Sequence, residues 1–330
     1  MRYLITGGSG YLGSRLVERL VAREQTDRVL VADVRPPRTF TSKVAYEELD
    51  VRDRARVRRL VEHERSDVLV HLAFVLNPIH DEHTMYEVDV GGTQNVLEAA
   101  TAAGTEHVLV TSSTTAYGAF PDNPVPLTED DPVRGVPDFE YARDKAESDR
   151  LCQLWAANHP DRTMTIVRPC IVFGPNVDNY IVRTFSDQPF FAELGEDDPP
   201  IQFVHEDDVL DALTGLLDGR HGGAFNVTPD NWMTVGECAD LVGLRRVRVP
   251  FRAYRALAQA MWRLRRSETP AGNLHFVRHP WVASNERLKA TLGWSPEHSS
   301  RETFEITMRA RGIELAGVAA TAEGPQAAVG

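Results

Sequence analysis

Tyr141 and Lys145 stand four residues apart in Tyr141-Ala142-Arg143-Asp144-Lys145, where a helical pattern opens. Residues at that spacing share a helix face, so a phenol and an ammonium can meet one ligand. A phenol with its ordinary pKa near 10 is a poor base at neutral pH. A neighbouring ammonium, together with an oxidised nicotinamide, stabilises phenolate and fits the pair for proton transfer to or from a reacting oxygen. Lysine is scarce here, with Lys43, Lys145 and Lys289 set against 33 arginines, so its place one turn beyond a tyrosine is informative. Upstream, Ser112-Ser113-Thr114-Thr115 follows an apolar strand pattern at 107–111. Hydroxyls at the carboxyl end of a strand can hydrogen-bond a reacting carbonyl or alcohol, while some of the four satisfy backbone groups in the turn.

A second set opens the chain. Thr6-Gly7-Gly8-Ser9-Gly10-Tyr11-Leu12-Gly13 joins a strand pattern to a helix pattern, with Gly7, Gly10 and Gly13 in GxxGxxG spacing. Glycine serves where the backbone turns tightly, where a pyrophosphate approaches the main chain, and where helix and strand pack closely. The helix N-terminus then offers unpaired N–H groups and the positive end of its dipole to the phosphates. Asp33 ends the next strand pattern, 20 residues past Gly13. A carboxylate there accepts from both ribose hydroxyls and repels a 2′-phosphate, which favours NAD. A solvated turn residue is the plainer reading of Asp33, and Arg35 is the feature that would suit NADP.

The elements that must position these residues read as strands at Arg2–Thr6, Arg28–Asp33, Ala45–Leu49, Val68–Leu72, His107–Thr111 and Met164–Arg168. Helical patterns lie between them at Tyr11–Arg23, Arg54–Glu64, Met85–Ala103 and Tyr141–Asn158. Such alternation predicts an α/β, Rossmann doubly wound parallel sheet, with a smaller C-terminal α+β substrate-binding part. The expected division is an NAD-binding domain at 1–168, helped by segments within 203–228, a substrate-binding part at 169–316, and a disordered tail at 317–330. Tyr254–Arg266 reads as an amphipathic basic helix with Leu257, Ala260, Met261 and Leu264 on one side, either a lid packed on the second part or a membrane-surface contact.

The 330 residues carry 42% hydrophobic and 25% charged side chains, ordinary for a soluble protein. A formal charge of −12 disfavours a nucleic-acid backbone as partner. Cys152, Cys170 and Cys238 have neither disulfide-framework nor zinc spacing, and a reducing cytoplasm fits. No signal peptide is read at Met1, no run of 18 apolar residues spans a membrane, and no metal is expected, since no carboxylate pattern organises His71, His80, His83 and His205. Asp207-Asp208 reads as a helix N-cap pair.

Together with Asp50-Val51-Arg52-Asp53, His71-Leu72-Ala73-Phe74, Gly92-Thr93-Gln94-Asn95-Val96, Arg168-Pro169, Gly174-Pro175, Phe203-Val204-His205 and Leu292-Gly293-Trp294-Ser295-Pro296, these motifs resemble the extended short-chain dehydrogenase/reductase family of NAD-dependent epimerases and dehydratases over residues 1–300. The resemblance implies that Ser113 orients the substrate oxygen and Tyr141 is the acid/base. It implies that Lys145 binds the nicotinamide ribose and that Gly7, Gly10, Tyr11, Leu12, Gly13 and Asp33 hold the dinucleotide. Asp50 and Val51 would flank the adenine, Leu72, Ala73, Phe74 and Pro169 would line the cofactor, and a homodimer would form through helices 85–103 and 141–158.

Departures from the family pattern bear on the substrate. Members that hold a nucleotide-sugar pyrophosphate often have polar or cationic residues where this chain has Ile171, Ile201 and, in the aligned stretch, Leu274. Asp89 stands where the family usually has Asn. Thr114 and Thr115 replace the acidic pair of the 4,6-dehydratases, which disfavours dehydration. The expected function is therefore NAD-dependent hydride transfer at a secondary alcohol or ketone of a non-nucleotide, apolar small molecule. The alternatives are a nucleotide-sugar 4-epimerase and a non-catalytic dinucleotide-sensing regulator, against which the intact Tyr141/Lys145 pair argues.

Overall fold

The computed structural model describes residues 1–194 and 198–316; the expected tail at 317–330 lies outside them. β1 (Arg2–Thr6), β2 (Arg28–Asp33), β3 (Val44–Glu48), β4 (Val68–His71), β5 (His107–Thr111) and β6 (Thr163–Pro169) lie in one parallel sheet. The strands are Val/Ile/Leu-rich because helices cover both faces, as parallel sheets require. α1 (Tyr11–Val21) packs Leu16, Val17 and Leu20 on one face, beside Leu213 and Leu217. α2 (Arg54–Glu64), α4 (Gly92–Ala103) and α5 (Glu140–Asn158) cover the other with Val57, Val96 and Trp155.

Between α2 and α4 the chain departs from the single helix expected over 85–103. α3 (Glu82–Tyr86) passes into a wide π-turn at Glu87–Gly91 before α4 begins. The Asp89 carbonyl accepts from the hydroxyls of Thr93, at 2.6 Å, and Ser148, at 3.0 Å. Gly92 is required here, because a Cβ would meet the Val51 side chain at 2.6 Å.

The second half builds smaller pieces around the sheet's carboxyl edge. β7 (Ile171–Phe173), α6 (Tyr180–Ser186), β8 (Phe191–Glu193), β9 (Pro200–Ile201) and β10 (Phe203–His205) come first. β10 pairs with β7 rather than with the main sheet. α7 (Glu206–Gly219) lies against α1, and β11 (Gly223–Val227) adds to β6, giving the order β11-β6-β5-β4-β1-β2-β3. β12 (Met233–Thr234), α8 (Val235–Leu241), β13 (Arg246–Arg248), α9 (Phe251–Arg263), α10 (Glu286–Leu292) and α11 (Ser300–Ala310) complete the fold. Phe173, Phe185, Phe203 and Phe304 stack into an aromatic core there.

α9 corrects one expectation. Its inward residues are Phe251, Tyr254, Met261 and Trp262, whereas Leu257, Ala260 and Leu264 are exposed. The helix is amphipathic, but its leucines do not pack on the second part. A second correction concerns Asp207-Asp208: the α7 cap is His205, whose ring accepts from the Asp207 amide. Asp208 instead receives the Glu297 and His298 amides.

Strand order reverses between β4 and β1, and ligands of doubly wound sheets bind beyond the strand ends at that point. A deep cleft opens there.

Candidate active site

The floor of the cleft is the loop from β1 to α1. Gly7 has φ +73°, and a Cβ on it would sit 2.4 Å from the Ala73 amide nitrogen. On Gly13 a Cβ would meet the Gly7 carbonyl oxygen at 2.2 Å. Both positions thus admit only glycine, which brings β1, β4 and α1 together at backbone distance. Gly10 caps α1 without a side chain, so first-turn N–H groups stay open to the cleft.

Asp33 is buried behind this loop, its carboxylate accepting from the Ser9 amide at 3.0 Å and the Arg35 amide at 3.1 Å. Each oxygen keeps a lone pair for a ribose hydroxyl. Tyr11 reaches across the cleft floor: its phenol donates to Glu206, which also accepts from Arg15 and from the Asn176 side-chain Nδ2.

Gly7, Gly10, Tyr11, Leu12 and Gly13 line the cleft, as do Leu72, Phe74, Ser113, Tyr141, Lys145 and Pro169. Its volume is about 1440 Å³ including the open mouth. Asp33, Asp50, Val51 and Ala73 do not line it. Ala73 lies under Gly7, and Val51 is buried beneath α4, where Asn95 donates to its carbonyl. The Asp50 carboxylate is taken up by Arg52, whose hydrogen bonds hold its pKa below the usual carboxylate range.

Ser113 leaves the carboxyl end of β5 and caps a 3₁₀ turn at Thr114–Tyr117, accepting from the Thr115 amide at 3.1 Å. Tyr141 lies in the first turn of α5, its ring 5.7 Å edge-on from Phe74. One turn on, Lys145 donates to the Thr111 carbonyl at 2.9 Å and lies 3.5 Å from the Phe74 ring centroid.

Lys145, expected to lower the Tyr141 pKa together with an oxidised nicotinamide, is not itself among the groups that shift it. Burial raises the Tyr141 phenol well above its ordinary value, the Asp89 carboxylate raises it further, and a hydrogen bond with Ser113 opposes them. The ammonium is turned to Thr111 and Phe74, 5.9 Å from the Tyr141 ring centroid. The chain's own groups therefore keep the phenol protonated. Burial lowers the Lys145 pKa, against the pull of Asp89 and Asp149. The Asp89 carboxyl is itself raised by burial; Oδ1 accepts from Val75 at 2.7 Å, and buried Oδ2 has no hydrogen-bond partner among the described residues.

A buried network fixes the Ser112–Ser113 strand end. Arg168 makes two 2.8 Å bonds to Asp149 and one to the Tyr117 phenol, and Ser112 donates to Asp149 at 2.6 Å.

Beyond the Ser–Tyr–Lys set the walls are Phe139, Ile171, Ile201, Phe276, Val277 and Trp281, with Asn179, Tyr180 and Asn273 as polar interruptions. Leu274 does not line the cleft, because the 3₁₀ turn at Ala271–His275 presents Asn273 instead. Arg278 lies over the Phe251 ring at 4.1 Å from its centroid and Arg266 is exposed, and neither lines the cleft. Lys145 is the one charged side chain among the described lining residues. Sequence reasoning passed over Tyr180 and Asn179; the Asn179 side chain caps α6, and that Asn-Tyr pair after Gly174-Pro175 was the available signal.

Each of the four histidines has partners of its own. His71 bonds Thr6 and Thr93, His80 stacks on Trp262, His83 meets Glu87, and His205 stacks on His298. The glycine loop, the open α1 N-terminus, Asp33 and Lys145 fit a nicotinamide dinucleotide laid along the cleft.

A family model described as the NAD dependent epimerase/dehydratase family matches residues 3–228. A 3-diazoavenalumate denitrifying reductase from a Streptomyces species is 27% identical over 91% of this chain and 97% of its own. The Bordetella bronchiseptica enzyme WbmG, solved in complex with NAD and UDP, superposes with a TM-score of 0.72 at 21% identity, covering 94% of this chain and 93% of that one. The UDP-glucose 4-epimerase of Thermotoga maritima, solved with UDP-glucose, reaches 0.72 at 19% identity over 94% and 99%. At these identities the two structures establish the fold. Among the described residues no helix is long and apolar enough to cross a membrane.

Proposed function

The chain belongs to the NAD-dependent epimerase/dehydratase family, and from that premise we propose that it uses NAD(H) to interconvert a secondary alcohol and a ketone on an apolar substrate that is not a nucleotide sugar. The observation that carries this reading is the wall beyond Tyr141, where Ile171, Ile201, Phe276 and Val277 offer no cation. A buried pyrophosphate needs paired, hydrogen-bonded charge, and each charge left unpaired costs several kcal/mol.

Bound NAD(H) supplies hydride chemistry. The residues supply the rest: Ser113 holds the reacting oxygen, Tyr141 delivers or takes the proton at that oxygen, and Lys145, anchored on Thr111, holds the nicotinamide ribose. The protonated phenol favours Tyr141 as the acid in ketone reduction. Asp33 selects NAD over NADP.

The comparisons weigh toward a second reading, a nucleotide-sugar 4-epimerase. WbmG was solved with UDP beside NAD, and the Thermotoga protein is a UDP-glucose 4-epimerase. The Streptomyces reductase, closer in sequence than either, is named for 3-diazoavenalumate instead. Calorimetry with uridine and thymidine diphosphate in the presence of NAD separates the readings. The apolar reading expects no binding in the micromolar range; micromolar affinity for either diphosphate overturns it in favour of the epimerase.

A further inference from the structure

α9 turns by about 100° per residue, which puts Ala253, Ala256, Leu257 and Ala260, with Leu264 just past its end, on the side away from the protein. All are exposed, Leu257 by 58% and Leu264 by 67%. Other exposed helix faces here carry paired charges of both signs, as Arg58 with Glu62 on α2 and Arg309 with Glu305 on α11. α9 carries none of that kind. Residues 241–267 hold eight arginines and no acidic residue, in a chain whose net charge is −12. Arg246, Arg248 and Arg255 are paired with carboxylates. Arg245, Arg252, Arg263, Arg265 and Arg266 are exposed and have no ion pair among the described residues.

We propose that the outward face of α9 docks on an anionic lipid bilayer. An apolar stripe edged by unpaired arginines matches a surface that offers acyl chains beneath a layer of negative headgroups. A nucleic acid offers the charge without the apolar layer. The inward face fixes the orientation: Trp262 stacks on His80 at 3.7 Å, and the following 3₁₀ turn lines the cleft with Asn273. Docking therefore brings the cleft mouth, where exposed Leu76 also lies, close to the membrane. The docking is independent of the substrate; delivery of an apolar substrate from the bilayer rests on the reading given above.

The test is co-sedimentation of the full chain with phosphatidylcholine vesicles, with and without phosphatidylglycerol. At least tenfold stronger partitioning is expected with phosphatidylglycerol, falling at high salt. Leu257→Asp with Leu264→Asp should abolish it. Arg252→Gln and Arg263→Gln should each weaken it roughly fivefold, as expected for one basic residue near an anionic surface. NAD titration and melting temperature, unchanged in these exposed variants, show that the fold is intact. The proposal is overturned if phosphatidylglycerol vesicles do not bind the protein, or if the double leucine variant still binds. It is also overturned if sedimentation velocity shows the wild type self-associating through this face.

Discussion

The Tyr141 hydroxyl is the group whose loss should be most visible. Tyr141→Phe is expected to lower turnover by about 100- to 10,000-fold while NAD affinity stays within a few-fold, because the proton transferred to substrate is what disappears. Retention of a tenth of the activity would assign the proton to another group. Lys145→Ala should weaken NAD as well, which a titration followed by tryptophan fluorescence would reveal. Asp89→Asn removes a charge that raises the Tyr141 pKa, so the rise of alcohol oxidation with pH should move to lower pH. An opposite displacement would show Asp89 taking the proton itself. The Tyr141–Lys145 pairing was legible because helical spacing places both on one face. The direction of the phenol's shift was not, because it depends on burial and on a carboxylate 52 residues upstream in sequence.

The strands were legible in residues such as Val29, Val31, Val68 and Val70, because burial on both faces demands uninterrupted apolar runs. The π-turn at Glu87–Gly91 was hidden, since such a turn is stabilised by tertiary partners, here Ser148 on α5, more than by local propensity. The outward turn of Leu257 and Leu264 was hidden for a related reason: periodicity says that two faces differ, not which one finds a neighbour. Leu274 was misplaced because loop register cannot be read from the flanking elements. The buried Arg168–Asp149 pair lets β5, β6 and α5 hold the Ser113 turn in place. Burial works to raise the Asp149 pKa, but the hydrogen bonds from Arg168 override it and keep it low. Arg168→Met leaves that carboxylate buried and unpaired, so urea denaturation should show a loss of about 3–5 kcal/mol. Arg168→Met with Asp149→Leu should recover part of it; if the double variant is no better than the single, the pair is not the cause.

Over the whole molecule, two neutral histidines inside the sheet set a limit on acid stability. Burial pushes the His71 imidazole down to about 3 and that of His107 to about 4. Both lie below the unfolded value near 6.5, so the unfolded chain takes up protons that the fold refuses. The contribution of these two groups to stability is therefore fully present above about pH 6.5 and declines as pH falls through that value toward the folded pKa, at a slope on the order of 1.4 kcal/mol per pH unit for each group. Denaturant titrations at pH 7 and pH 5, run on the wild type and on the His71→Gln, His107→Gln variant, should show the wild type losing more stability, or gaining less, than the variant as pH falls; equal pH dependence in the two would place the effect elsewhere. The Tyr11–Glu206 bond reaches as far. One carboxyl is shared by the loop expected to cradle the dinucleotide and, through Asn176, by the loop that follows β7. Any ligand that reorders one loop then changes the free energy of binding at the other, and thermodynamic reciprocity makes the two effects equal. The factor by which NAD changes substrate affinity must match the factor by which substrate changes NAD affinity. Tyr11→Phe, which cuts the shared bond, should bring both factors toward unity together in paired calorimetric titrations, leaving an enzyme whose two sites fill without regard to each other.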